Sequence, residues 1–137
     1  MSFASISGWI AAALVACALL VPALHRALRG RRAVVGSRPV SAHVALGLSV
    51  GAVSLVHPLG AILALGSPGA IGGGELALGF GGLAFVLLLA HTGLGLKLRD
   101  PTLRKRAQVR RNHLTTALVI VAAVVGHVVW LARGRAG

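Results

Sequence analysis

Residues 40–65 read VSAHVALGLSVGAVSLVHPLGAILAL, a stretch without Asp, Glu, Lys or Arg whose main polar features are two histidines fourteen residues apart, His43 and His57. The run exceeds the ~20 residues that span a hydrocarbon core. A bilayer offers the backbone no hydrogen-bond partners, so such a segment must be helical. Three more uncharged runs accompany it, at 2–24, 76–96 and 114–132. Apolar residues make up 56% of the chain and charged ones 12%, a balance outside the range of water-soluble domains. The expected fold is all-α: one integral-membrane four-helix bundle over residues 1–137, with spans near 5–28, 40–65, 76–98 and 113–133.

The connectors fit that division. Gly30-Arg31-Arg32 through Arg38-Pro39 is a short polar break. Gly66-Ser67-Pro68-Gly69 with Gly72-Gly73-Gly74 is a small-residue turn that cannot continue a helix. The third connector, 97–112, carries Asp100-Pro101-Thr102, and Asp100 is placed to cap a short surface helix. Hydropathy describes two hairpins in succession, with no 20–50-residue repeat of side chains.

The net charge of +12 is unevenly spread. Arg26, Arg29, Arg31, Arg32 and Arg38 surround the first connector; Lys97, Arg99, Arg104, Lys105, Arg106, Arg110 and Arg111 occupy the third. Both connectors fall on one side of a four-span bundle. The positive-inside rule then places them in the cytoplasm and both termini outside, in a prokaryotic-type inner or plasma membrane. Anionic lipid is the expected partner of these charges. Nucleic acid is not, since no aromatic platform or groove-reading motif accompanies them. Leu14-Val15-Ala16-Cys17 has the form of a lipoprotein cleavage box, but no Lys or Arg precedes it, which favours an uncleaved, N-out first helix. Cys17 is the only cysteine, which excludes a disulfide within the chain and a Cys-x-x-Cys-His haem attachment.

The six histidines carry the chemistry. His43/His57 and His113/His127 repeat the same fourteen-residue spacing on the second and fourth runs. Fourteen residues are nearly four helical turns, leaving each pair within roughly 40° on one face and about 21 Å apart. Side by side, two such helices present two stacked imidazole pairs, and imidazole is an axial ligand for haem iron. His57 lies 19 residues past Arg38 and His127 lies 16 past Arg111, so they match in depth in the outer half of the membrane. For the inner half, His43 and His113 match, five and two residues past the same arginines. A second reading pairs His25 with His91 there, although His91 lies deeper by a turn or more. Gly47, Gly51 and Ser54 admit two readings: clearance for a porphyrin edge, or a small-xxx-small strip for close helix packing.

The doubled His-x13-His resembles the ligand spacing of membrane-embedded di-haem b-type cytochromes, namely the ferric reductase transmembrane domain and quinol-oxidising cytochrome b. The series His25, His57, His91 and His127, one per helix, and the dipeptide His57-Pro58 are similar to features of the ascorbate-linked transmembrane cytochromes. Both resemblances cover nearly the whole chain and imply an outer haem on His57 and His127. They differ over the inner pair. The chain departs from the first group in carrying no flavin or nicotinamide domain and from the second in having four spans instead of six.

Two haem b groups are therefore the expected cofactors, with Arg38, Lys97 and Arg111 as candidates to pair with propionates. The expected function is transmembrane electron transfer between a quinol or redox protein partner and an acceptor, as a cytochrome b subunit or domain of an oxidoreductase, alone or in an oligomer or larger complex. Glu75 and Asp100 are the only acids and lie near opposite faces, which argues against hydrolytic chemistry. The alternative is a haem-free small membrane subunit, either a proton relay or transporter accessory or a structural anchor.

Overall fold

The computed structural model describes residues 2–63 and 73–134. They form four helices: α1 (Phe3–Arg29), α2 (Arg38–Leu63), α3 (Gly74–Lys97) and α4 (Arg106–Gly134). All four are long and apolar enough to cross a membrane. The expected turn at 66–69 and residue 72 lie outside the described residues, as does Leu65 at the end of the second run.

Helix ends follow local chemistry. Ser2 caps α1 by accepting from the Ser5 N–H at 3.2 Å. Gly30 ends it in the left-handed conformation (φ 62°), donating its N–H to the Arg26 carbonyl, a backbone state that a side chain would strain. Pro22 and Pro58 lie inside α1 and α2 without ending them.

The third connector corrects one expectation. Asp100 does not cap a separate surface helix; its carboxylate accepts from the Thr102 N–H (2.8 Å) and hydroxyl (2.6 Å), closing a turn. Arg106 ties that turn down by donating to the Leu98 and Asp100 carbonyls. The segment Arg106 to Asn112 then joins α4, which begins seven residues before the expected start at 113. No Gly or Pro interrupts 105–125, so a helix entering the membrane has nothing to stop it from extending backward into the basic segment.

Helix α1 packs against α2 and α3 against α4, and α2 meets α3 through a smaller contact. His57 reaches Ala4 and His43 reaches Ala18, so α1 and α2 are antiparallel. The contacts of His127 with Ala77 and of His113 with His91 make α3 and α4 antiparallel. Both basic connectors thus leave the same end of the bundle, and Trp9 and Trp130 lie toward the opposite end.

Little is buried. Leu28, Leu63 and Val86 expose 80%, 88% and 63% of their surface. In water such a surface would be a severe aggregation liability, and in lipid it is the normal exterior. The buried core is Val50, Leu88 and Ile120, flanked by Leu14, Val15, Leu87 and Val124. Val50 is seven residues from both His43 and His57, and Ile120 seven from both His113 and His127. Two turns of helix on either side place this apolar cluster at the waist, midway between two histidine levels.

Candidate functional site: two levels of facing histidines

Helices α2 and α4 run parallel and bring their histidines together level by level. The ring centres of His57 and His127 are 6.1 Å apart with planes at 84°. Those of His43 and His113 are also 6.1 Å apart, at 86°. No hydrogen bond joins the two rings of either pair among the described residues. An iron held between two nitrogens at about 2.0 Å each, with each nitrogen about 1.1 Å from its ring centre, sets the centres roughly 6 Å apart. The separation at both levels fits that requirement.

Each of the four rings is held through Nδ1. His57 Nδ1 lies 2.9 Å from the Ala4 carbonyl, His43 Nδ1 2.8 Å from Ala18, His127 Nδ1 2.7 Å from Ala77 and His113 Nδ1 3.2 Å from His91. A carbonyl only accepts, so the proton must sit on Nδ1 in all four. Nε2 is left with its lone pair, the form in which imidazole ligates a metal, and the Nδ1–H bond raises ligand basicity. Among the described residues no group of three or more His, Cys, Asp or Glu is arranged so that it could hold a metal ion by itself. Paired ligands suit a group that brings its own equatorial donors, as porphyrin does, better than a bare zinc ion seeking four protein ligands.

The levels are built alike but not identically. At the outer level the buried Ser7 adds a hydroxyl 3.2 Å from His57 Nδ1, while donating to the Ala4 carbonyl at 3.1 Å. At the inner level His91 stacks on His113, ring centres 3.7 Å apart and planes 15° apart. His91 Nδ1 lies 2.9 Å from the Thr116 hydroxyl, which itself donates to the His113 carbonyl at 3.0 Å. The hydroxyl proton is used there, so His91 must donate from Nδ1. His25, just before the last turn of α1, has no ring contact with His91 and no hydrogen-bond partner among the described residues. Of the two inner pairings, the structure brings His43 and His113 together and gives His91 a place beside His113.

Arg38, Lys97 and Arg111 are exposed at the inner-level end. A Cβ added to Gly47 or Gly51 meets nothing within 4 Å, so neither makes the close helix contact of a small-xxx-small strip. On α1 and α3, Gly8 and Gly81 instead receive the rings of His57 and His127, each 3.0 Å from the glycine's would-be Cβ, and Gly95 receives His113 at 3.2 Å.

A repeat emerges at this point. Shifts of 73 residues from α1 to α3 and 70 from α2 to α4 superpose Ala4 on Ala77, Gly8 on Gly81, Leu14 on Leu87, His43 on His113, Val50 on Ile120 and His57 on His127. It escapes a search for short repeats because the unit is a whole hairpin, and the register differs by three residues between its two arms. The accepting carbonyls, Ala4 with Ala18 and Ala77 with His91, are themselves fourteen residues apart. Comparison with known protein families, with curated proteins and with solved structures finds no match to this chain.

Proposed function

We propose that the chain is a membrane-embedded b-type cytochrome that carries electrons across a bilayer through two bis-histidine haems. His57 and His127 would hold the outer haem, His43 and His113 the inner one. The observation that carries this reading is the recurrence, at two levels, of a facing pair with ring centres 6.1 Å apart and every Nδ1 committed to a carbonyl. When bound, haem b supplies a one-electron couple. The chain's own residues do the rest. The carbonyls of Ala4, Ala18, Ala77 and His91 orient the rings, Gly47 and Gly51 leave open space beside them, and Arg38, Lys97 and Arg111 offer positive charge to propionates at the inner end.

The waist favours electron transfer over the proton-relay alternative. A relay needs polar groups passing from one level to the other, whereas Val50, Leu88 and Ile120 form an apolar plug between them. Electrons cross such a gap, but protons need water or side chains. A groove of about 250 Å³ at the basic end, lined by Val40, Val44, Leu48 and Arg99 among others, offers a place for a quinone head. The basic connectors point to a cytoplasmic inner level and external termini, with a quinone or a redox protein as partner.

Proteoliposomes test the function. With a membrane-impermeant reductant outside and a trapped acceptor inside, the protein should carry electrons inward, and replacing either histidine pair by Ala should abolish the flow. Flow that persists when one level has lost its haem would overturn the two-haem route.

A further inference from the structure

Every carbonyl that accepts from a facing histidine is followed, four residues later, by glycine or proline. Ala4 is followed by Gly8, Ala77 by Gly81, His91 by Gly95 and Ala18 by Pro22. In a helix the N–H at i+4 occupies the carbonyl of residue i, and the side chain at i+4 leans back over it. Both obstruct a third group. Glycine removes the cover: the rings of His57, His127 and His113 come within 3.0 to 3.2 Å of where the Cβ of Gly8, Gly81 and Gly95 would be, closer than ordinary van der Waals contact. Proline removes the competitor: Pro22 has no N–H, so the Ala18 carbonyl has no helical donor and is open to His43. The 19 Gly and 5 Pro fill about a sixth of 137 residues, so four matches in four are not a product of composition.

We infer that Gly8, Pro22, Gly81 and Gly95 are positioning residues that expose one carbonyl each, fixing the Nδ1–H form of the four facing histidines and so preparing Nε2 to ligate. As far as it concerns haem, the inference rests on the function proposed above. Its physical core, a tautomer set by the residue four positions beyond a carbonyl, does not. The two devices also differ in strength. Glycine leaves a carbonyl shared between the helix N–H and the ring, whereas proline leaves His43 as the sole donor to Ala18.

Ring 15N spectra of the haem-free chain in micelles, together with haem content and midpoint potentials of the loaded protein, provide the test. The wild type should hold His43, His57, His113 and His127 as Nδ1–H. Gly8→Ala, Gly81→Ala and Gly95→Ala should release His57, His127 and His113 respectively toward the Nε2–H form and weaken the haem at that level alone. Gly82→Ala and Gly93→Ala, whose added methyl meets nothing within 4 Å, should change neither. Pro22→Ala returns a competing N–H to Ala18 while improving the helix, so misfolding does not confound it. Only His43 should shift, both haems should remain, and the inner haem alone should move to higher potential as its ligand becomes a weaker donor. Unchanged tautomers in all four variants would overturn the inference even if two haems bind. A colourless wild type with the expected tautomers would refute the haem reading and leave the positioning device standing.

Discussion

The outer and inner levels share a spacing and differ in what holds it. Outer histidines lean on backbone: His57 and His127 donate to Ala4 and Ala77 at 2.9 and 2.7 Å, each over a glycine, with only the Ser7 hydroxyl added. The inner level is asymmetric. His43 uses a carbonyl freed by proline, and His113 makes a longer bond of 3.2 Å while His91 and Thr116 brace it from α3 and α4. A level built from backbone and glycine offers few side chains whose exchange can retune it. One built with an extra imidazole and a hydroxyl can be retuned by substitution, so haems held at the two levels, as proposed, would differ in potential.

The largest effects test whether the levels are separable. Replacing His57 or His127 by Ala should remove about half of the haem and leave a low-spin inner centre, as measured by haem content and electron paramagnetic resonance. Loss of both haems from either single variant would make the levels one cooperative site. Next in size, His43→Ala or His113→Ala should remove the inner haem, whereas His25→Ala should be silent. His91→Leu should keep both haems and shift only the inner potential, since it loses a stacking partner and no ligand. Loss of the inner haem in both His25→Ala and His91→Leu would restore the rival pairing.

The waist sharpens the comparison, because it keeps the levels apart. Ile120, 4% exposed, fills the space beside Val50, and Ile120→Ala should cost about 2 kcal/mol by the usual cavity cost in a packed core. Reversible unfolding in mixed micelles would measure it, and water admitted through the plug should raise proton leak in proteoliposomes. An unchanged stability would mean that the plug is not packed as described.

The smallest effect lies in the third connector. Hydrogen bonds from the Thr102 side chain and backbone, with Arg106 adding a lesser attraction, hold the exposed Asp100 carboxyl below the ordinary aspartate range. A depressed folded-state value means that the turn is stabilised above the unfolded value of about 4 and loses that stabilisation as pH falls through the lower folded value. Protection of the Thr102 amide from exchange, taken relative to its intrinsic rate at each pH, should therefore fall only in acid, and in Asp100→Asn it should lose that dependence. Protection that does not fall in acid in the wild type would refute the turn.

The fold was legible because membrane spans depend on composition over long windows, where 40–65 and its three counterparts are unambiguous. The outer pair was legible because depth from the basic connectors is a one-dimensional measure that His57 and His127 both satisfy. The inner level resisted for a physical reason: three histidines do gather there, and linear spacing cannot separate a facing ring from a stacked one. His91 belongs to that level through the His113 ring and the Thr116 hydroxyl, not through His25. The early start of α4 was hidden because arginines mark the end of an apolar run without ending a helix. The glycine and proline pattern was hidden as well, because it relates residues on one helix to histidines on another.

The most direct measurement is the haem content of the purified full-length chain from haem-replete cells, by reduced-minus-oxidised absorption and pyridine haemochrome. Two b-type haems per polypeptide with low-spin, bis-imidazole spectra are expected, and a colourless, haem-free protein would contradict the proposed function.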